Sequence, residues 1–399
     1  MEMSQKVCVA GVGMTPFKKP GQSESYLVMA EAAIRAALKD AGVEYKAIQQ
    51  GYAGYVMGDS TCGQAAAYRV GLTGIPIFNV NNNCASGSTA LYLARQAVES
   101  GAVDCALAFG FEQMPTGAIE NAFNDRISPL ARFLETAREY PGMENAPDYL
   151  PIVGVLFGAQ YLEMKNRYGY TPETFAKITV KARQHAANNP FSIFRDPVTV
   201  EEVLASPTIF AGLTKLMACP PSCGAAATIL CSEKFAREHG LDSSIKIVAQ
   251  AMTTDYDSSF DSGNALKLLG ADLAAEAARQ VYEKSGVGPE EISVVELHDC
   301  FACNEIASYE ALGLVAEGGS EKFINDGDNT YGGKIVVNPS GGLLSKGHPL
   351  GATGLAQCTE LTQQLRGQSG KRQVEGVRTA LQHNGGLGSA MIVTMYQRD

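Results

Sequence analysis

The chain lacks the features that most quickly sort a protein into a class. It has no tryptophan, only five histidines and no surplus of basic charge, its formal net charge being −10 over 399 residues. That balance excludes general nucleic-acid binding, which needs a basic surface. It leaves room for a phosphate-bearing small ligand held by a few local cations and backbone N–H groups. No apolar run reaches the length of a membrane span or forms a secretory leader, and none is expected to insert. The last residues, Tyr396-Gln-Arg-Asp399, are not a peroxisomal Ser-Lys-Leu address. A disulfide framework is missing too. The ten cysteines are irregularly spaced, and Cys8, Cys105 and Cys231 sit inside apolar runs as buried thiols, so a reducing intracellular compartment is expected. Cys300-Phe-Ala-Cys303 has no second pair of matching spacing in Cys219-Pro-Pro-Ser-Cys223, and no metal site is expected. Neither a G-x-G-x-x-G nor a Walker loop stands between a strand and a helix, which disfavours nucleotide-cofactor chemistry.

What remains is an ordinary globular composition, 45% hydrophobic and 19% charged, in a chain long enough for two or three domains. Strand-like and helix-like segments alternate from Val7 onward, which predicts an α/β fold with a largely parallel sheet. The same unit recurs. Ile75–Val80 leads through a small-residue turn to a helix with Ala90, Leu91, Leu93, Ala94, Ala97 and Val98 on one face, stopping at Gly101. In the second half Ile335–Asn338 leads through a Gly-rich turn to a helix over 351–366, and a strand follows at 377–382. The terminal segments 224–231 and 388–395 match in character. Between Met114 and Ala218 the pattern is more polar and mostly helical, an insertion with a helix from the Thr171-Pro172 start to His185.

Chemistry concentrates at four places. Asn81-Asn-Asn-Cys84-Ala-Ser-Gly sets a thiol at a strand-to-helix turn, where the helix end favours thiolate and hence a covalent nucleophile. Val294-Val-Glu-Leu-His298-Asp-Cys300-Phe301 runs a strand into a reactive triplet. Gly347-His348-Pro-Leu-Gly-Ala-Thr-Gly354 and Gln382-His383-Asn-Gly385-Gly-Leu-Gly388 are glycine-rich turns that admit a ligand close to the backbone and free N–H groups for an oxyanion.

In this order the four motifs resemble the thiolase superfamily, and within it the sterol carrier protein X type, over essentially the whole chain. The resemblance implies a thiolase fold: two similar βαβαβαββ halves in a five-layer αβαβα sandwich with an inserted loop domain. The boundaries expected are 1–118 and 216–242 for the first half, 119–215 for the insertion and 243–399 for the second half. It implies a 3-oxoacyl-coenzyme A thiolase, with coenzyme A as co-substrate, no permanently bound cofactor, and a homodimer or homotetramer. Acetyl- or propionyl-CoA would be released, and 2-methyl-branched or sterol side-chain acyl groups fall within the substrate class. By resemblance Cys84 is the nucleophile, His348 takes its proton, and Cys300 is the acid/base. His298 binds the enolate oxygen with His348, and the N–H groups of Cys84 and Gly385 form a second oxyanion site. The sequence departs from the common pattern: His298-Asp-Cys-Phe301 replaces Asn-Glu-Ala-Phe, and His383-Asn-Gly385 replaces the C-terminal Cys-x-Gly. The acid/base cysteine is thereby moved to Cys300, and His383 either contacts the reacting centre or fills space. Cys223 stands where the family usually has Asp, a packing change. His185 is a candidate for contact with the coenzyme, and His239, beside Gly240, reads as a helix cap. A ketoacyl synthase-like condensing enzyme, a retro-aldolase of steroid side-chain degradation and a noncatalytic acyl-CoA-binding scaffold are the alternatives. A bacterial cytoplasm and a peroxisome both fit the absence of a legible address.

Overall fold

The computed structural model describes residues 5–117, 123, 125–261 and 263–399. The first half supplies β1 (Val7–Met14), β2 (Gln50–Gly54), β3 (Ile77–Val80), β4 (Cys105–Gln113) and β5 (Cys223–Ser232). The second supplies β6 (Ile245–Thr253), β7 (Val294–Glu296), β8 (Val336–Val337), β9 (Thr379–Gly386) and β10 (Ala390–Arg398). All ten strands join in one sheet, in the order β8-β7-β9-β10-β6-β1-β5-β4-β2-β3. A single pairing, Cys8 opposite Lys246, links the two sets.

The duplication is exact in strand order and direction. In each half the outermost three strands run parallel, and the next two alternate in direction. The sheet is therefore mixed rather than largely parallel, as alternation alone suggested. The last strand of each half returns beside its predecessor: β9 to β10 through a tight turn at Gly388 (φ 84), β4 to β5 by way of the whole insertion.

Helices α1 (Tyr26–Ala41), α2 (Ser86–Glu99), α3 (Ile152–Tyr168), α4 (Pro172–Ala186), α5 (Ala271–Ser285), α6 (Ala302–Ala311) and α7 (Thr353–Arg366) complete the frame. The antiparallel-strand side of each half is covered outside by α1 or α5, while α2 and α7 lie together between the half-sheets, giving the five layers. Central helices must be apolar on more than one face. Accordingly α2 buries Ala90, Leu91, Ala94, Ala97 and Val98, with Leu93 half-buried, and α7 buries Leu355, Ala356, Cys358, Leu361 and Leu365. Each leucine so buried contributes roughly 1.5–3 kcal/mol. Backbone meets backbone where the halves touch: a Cβ on Gly87 or Gly110 would lie 2.5 or 1.9 Å from the carbonyl oxygen of Gly351. That contact fixes the turn before α2 against the turn before α7.

The insertion folds as helices α3 and α4 with short connecting pieces, and its core is continuous with that of the second half. Pro172 occupies the first turn of α4, but the Thr171 side chain makes no capping bond; its hydroxyl lies 3.3 Å from that of Thr174. The boundary expected at 118/119 lies outside the described residues. His239 ends a short helix before Gly240, its Nδ1 3.0 Å from the carbonyl of Phe235. No helix among the described residues is long and apolar enough to cross a membrane.

Candidate active site

Each turn that carries a chemical side chain is held by specific bonds. Asn83 adopts φ 50 immediately before Cys84, a left-handed conformation that asparagine tolerates better than most residues. Ser86 clamps this turn, donating to the Asn83 carbonyl at 2.7 Å and accepting from the Asn82 N–H at 3.0 Å. The longer turn of the second half includes a π-helical segment, Gly342–Lys346, a geometry enriched at functional sites. Asp299 accepts the N–H groups of Leu343 (2.7 Å) and Leu344 (3.4 Å), and Glu296 takes the N–H and hydroxyl of Ser340. The motif carrying Cys300 is thus bonded to the turn that ends at His348. At the other end Ser222 accepts the His348 N–H at 2.9 Å, and Glu112 accepts from Val56, Met57 and Gly351. Burial pushes the Glu112 carboxyl up to about 7.

Cys84, His298, Cys300, His348 and Gly385 all face one cavity of about 890 Å³. The Cys84 sulfur and ring nitrogens of His298 and His348 lie within 4.8 Å of one another, and the two imidazoles meet edge to face with centroids 5.0 Å apart. Burial drives the Cys84 thiol up to about 12, opposed by the nearby Leu387 N–H. Enclosure therefore outweighs the pull of the helix end toward thiolate. A helix terminus is worth about 0.3–1 kcal/mol, too little to offset enclosure of a thiolate. Burial likewise lifts the Cys300 thiol well above its ordinary value and depresses His348 to about 3, with Lys346 adding to the effect. His298 is held well below its usual range, first by burial and then by its two histidine neighbours.

Hydrogen-bond partners assign a different tautomer to each imidazole. The Thr353 hydroxyl lies 3.0 Å from the Pro349 carbonyl and 2.7 Å from His348 Nδ1; with its one hydrogen on the carbonyl, it accepts from Nδ1. His348 Nε2 is then the bare nitrogen, and it has no partner among the described residues. His298 is the reverse: the Asn384 amide nitrogen lies 2.9 Å from its Nδ1, so Nδ1 accepts and Nε2 carries the hydrogen. One ring presents an acceptor, the other a donor.

Two expected residues stand elsewhere. His185 is buried with both ring nitrogens engaged, by the Asn338 carbonyl (2.9 Å) and the Thr330 hydroxyl (2.7 Å), and is off the cavity wall; the expectation that it meets the coenzyme is corrected. Its near neighbour Arg183 does line the cavity, stacked over Phe194 at 4.1 Å. A half-turn of helix separates the two, so periodicity was the signal available. His383 is fully buried and off the wall, its ring nitrogens without partners among the described residues. Strand alternation turns it away from the face used by Gln382 and Asn384. Sequence reasoning also missed Ser222, Asn384 and Cys219. The last is a third thiol on the cavity wall, whose N–H donates to the Cys300 carbonyl at 2.8 Å. At the position before Gly224, Cys223 packs its sulfur 3.6 Å from the Met114 carbonyl.

Residues 7–234 match the family model for the thiolase N-terminal domain, and residues 261–398 the thiolase C-terminal domain-like model. The chain belongs to the thiolase family. It is 51% identical over 397 residues to human sterol carrier protein 2, covering 98% of this chain and 72% of that protein. It is 36% identical to an acetyl-CoA acetyltransferase of Methanothermobacter thermautotrophicus, covering 98% and 99%. The solved Ltp2-ChsH2(DUF35) aldolase is similar in fold, with a TM-score of 0.81 at 24% identity, over 99% of this chain and 98% of that one. This thiolase is an acyltransferase with the thiolase fold.

Proposed function

We propose that the chain cleaves 3-oxoacyl-coenzyme A with a second coenzyme A, through an acyl-enzyme on Cys84. The observation that carries this is the convergence of an acceptor imidazole, a donor imidazole and a second thiol around the Cys84 sulfur. Cys84 sulfur attacks the 3-keto carbon while His348 Nε2 takes the thiol proton, so no standing thiolate is needed. The bond between C2 and C3 breaks, leaving the acyl group on sulfur and the electron pair in a CoA enolate. His298 Nε2–H and the newly protonated His348 Nε2–H hold the enolate oxygen, and the Cys300 thiol protonates C2. Coenzyme A then enters and Cys300 recovers its proton from the CoA thiol. The CoA thiolate takes the acyl group, with the Cys84 and Gly385 N–H groups on the carbonyl oxygen, and His348 returns its proton to Cys84. Loss of one such donor costs about 10²–10³ in kcat.

A Cys-His-His set alone also suits a condensing enzyme. Cys300 on the same wall favours thiolysis, because cleavage needs a group that protonates carbon. Lys19, Arg183 and Lys215 line the cavity and suit the coenzyme phosphates. Phe133, Leu150, Val153, Phe157, Ile209 and Leu268 give it apolar walls beside the space the coenzyme takes. That supports a hydrophobic acyl chain, a class that includes 2-methyl-branched and sterol side-chain groups. The test is acyl transfer to coenzyme A, followed by loss of the 3-oxoacyl-CoA enolate absorbance, with straight-chain and 2-methyl-branched substrates. Turnover that vanishes in Cys84→Ala is expected, and a wild type that binds CoA esters without turnover would overturn the reading.

A further inference from the structure

The position that replaces the usual C-terminal cysteine is His383, which lies within β9 rather than in a turn, yet the working side chain there is its neighbour. Asn384 is fully buried and stands at the end of a hydrogen-bond chain anchored on backbone. The Gly354 carbonyl can only accept, which fixes Gln382 Nε2 as its donor at 2.7 Å. The second hydrogen of that amide nitrogen goes to the Ser88 hydroxyl at 3.0 Å, the shorter of its two remaining contacts, Gln357 Oε1 lying 3.3 Å away, while Gln382 Oε1 accepts from Tyr396 at 2.5 Å. Ser88 therefore spends its own hydrogen on Asn384 Oδ1, 2.7 Å away. Only with that orientation does every member have a partner, and it leaves Asn384 Nδ2 to donate to His298 Nδ1. Space is closed as well: a Cβ on Gly354 would come within 2.0 Å of Ser88 Oγ and 2.8 Å of Asn384 Oδ1.

We propose that Asn384 is a positioning residue that locks His298 as its Nε2–H tautomer, and so both supplies the oxyanion donor and keeps the Cys84–His298–His348 cluster from taking a zinc ion. The three side chains otherwise form a ready set of ligands, with sulfur and two imidazoles within 4.8 Å and a cavity for a fourth. A ligating histidine donates its other ring N–H to an acceptor. His348 meets that condition through Thr353, but His298 faces an amide N–H and cannot. Zinc binding would have to expel the Cys84 proton, move the His298 proton to Nδ1 and invert the chain back to Gln382. The catalytic consequence rests on the thiolytic reading; the tautomer and the metal discrimination do not.

Asn384→Asp replaces the donor with an acceptor, and Asn384→Ala supplies neither. The full chain labelled with ¹⁵N-histidine reports which ring nitrogen of His298 carries the proton, and Zn²⁺ titrated against a chromophoric chelator reports affinity. Wild type is expected to hold the proton on Nε2. Asn384→Asp should move it to Nδ1, lower kcat about 10²-fold with KM little changed, and bind Zn²⁺ about 10–100-fold more tightly. Co²⁺ in that variant should show a thiolate-to-metal band that alkylation of Cys84 removes. Asn384→Ala should lose rate without gaining metal. A wild-type proton on Nδ1, or equal Zn²⁺ affinity in the Asp and Ala variants, would overturn the proposal. Should a variant fail to fold, the wild-type spectrum decides alone. Absent thiolase turnover with the expected tautomer would count against the reaction assigned and not against Asn384's role.

Discussion

The two halves share one strand order and one central helix, but they divide the chemistry unequally. In the first half the turn between β3 and α2 runs from Asn81 to Ala85; in the second, the turn between β8 and α7 runs from Asn338 to Ala352. The short turn has room for one reactive side chain, Cys84, set against the helix end. The long turn carries His348 and needs support from the β7 motif, through Asp299 and Glu296. Every other group assigned to the reaction, His298, Cys300, His348 and Gly385, comes from the second half. Duplication built the frame, and divergence of one turn made a nucleophile face an acid–base apparatus rather than a second nucleophile.

Breaking the first side of this comparison should have the largest effect. Cys84→Ala is expected to lower kcat on the order of 10⁶-fold, with no acyl mass added to the protein on incubation with substrate. Breaking the second side at Cys300→Ala should cost about 10²–10⁴ in turnover while leaving acylation from an acyl-CoA measurable by intact mass. A Cys300→Ala enzyme with unimpaired turnover would remove carbon protonation from the second half's share.

Stability should be sensitive to acid for the same reason. Burial depresses His348 to about 3 and His185 and His383 to about 4, and holds His298 well below its usual range. These groups stay neutral in the folded chain and take protons in the unfolded one below their ordinary 6.5. Their share of the stability is therefore complete above about 6.5 and falls as pH drops toward the folded values, while Glu112, raised to about 7, works in the opposite direction. Denaturant midpoints of the wild type relative to a His383→Gln variant should decline from pH 7 to 4, which isolates the histidine share. The rate should respond little to His348 over that range, since its folded value lies below it. The smallest effect is expected from Asp299→Asn, which keeps one acceptor for two N–H groups: about 1–3 kcal/mol of stability, with a lower kcat from a looser His348 turn.

How much of this could be read along the chain follows from how local each feature is. Cys84, His298-Asp-Cys300 and Gly347-His348 are contiguous motifs, and each stands where the residues alone placed it. The paired units were legible because strand, turn and helix recur in order. The antiparallel return of β5 and β10 was not, because alternation says nothing about strand direction. His185 was singled out because histidine draws notice, whereas only the helix phase says that Arg183 reaches the cavity. Tautomers lay further out of reach: His298 is set by Asn384, Ser88, Gln382 and Gly354, four residues from three distant segments. The rise of the Cys84 thiol lay out of reach because a helix end is visible in sequence and enclosure is not.

The most direct test of the division between the halves is α-proton exchange of a stable acyl-CoA in D₂O, followed by NMR beside intact-mass detection of the acyl-enzyme. The account predicts acylation without exchange in Cys300→Ala, and no acylation in Cys84→Ala. Exchange that persists in Cys300→Ala at the wild-type rate would contradict it, and would place the carbon acid/base on another group.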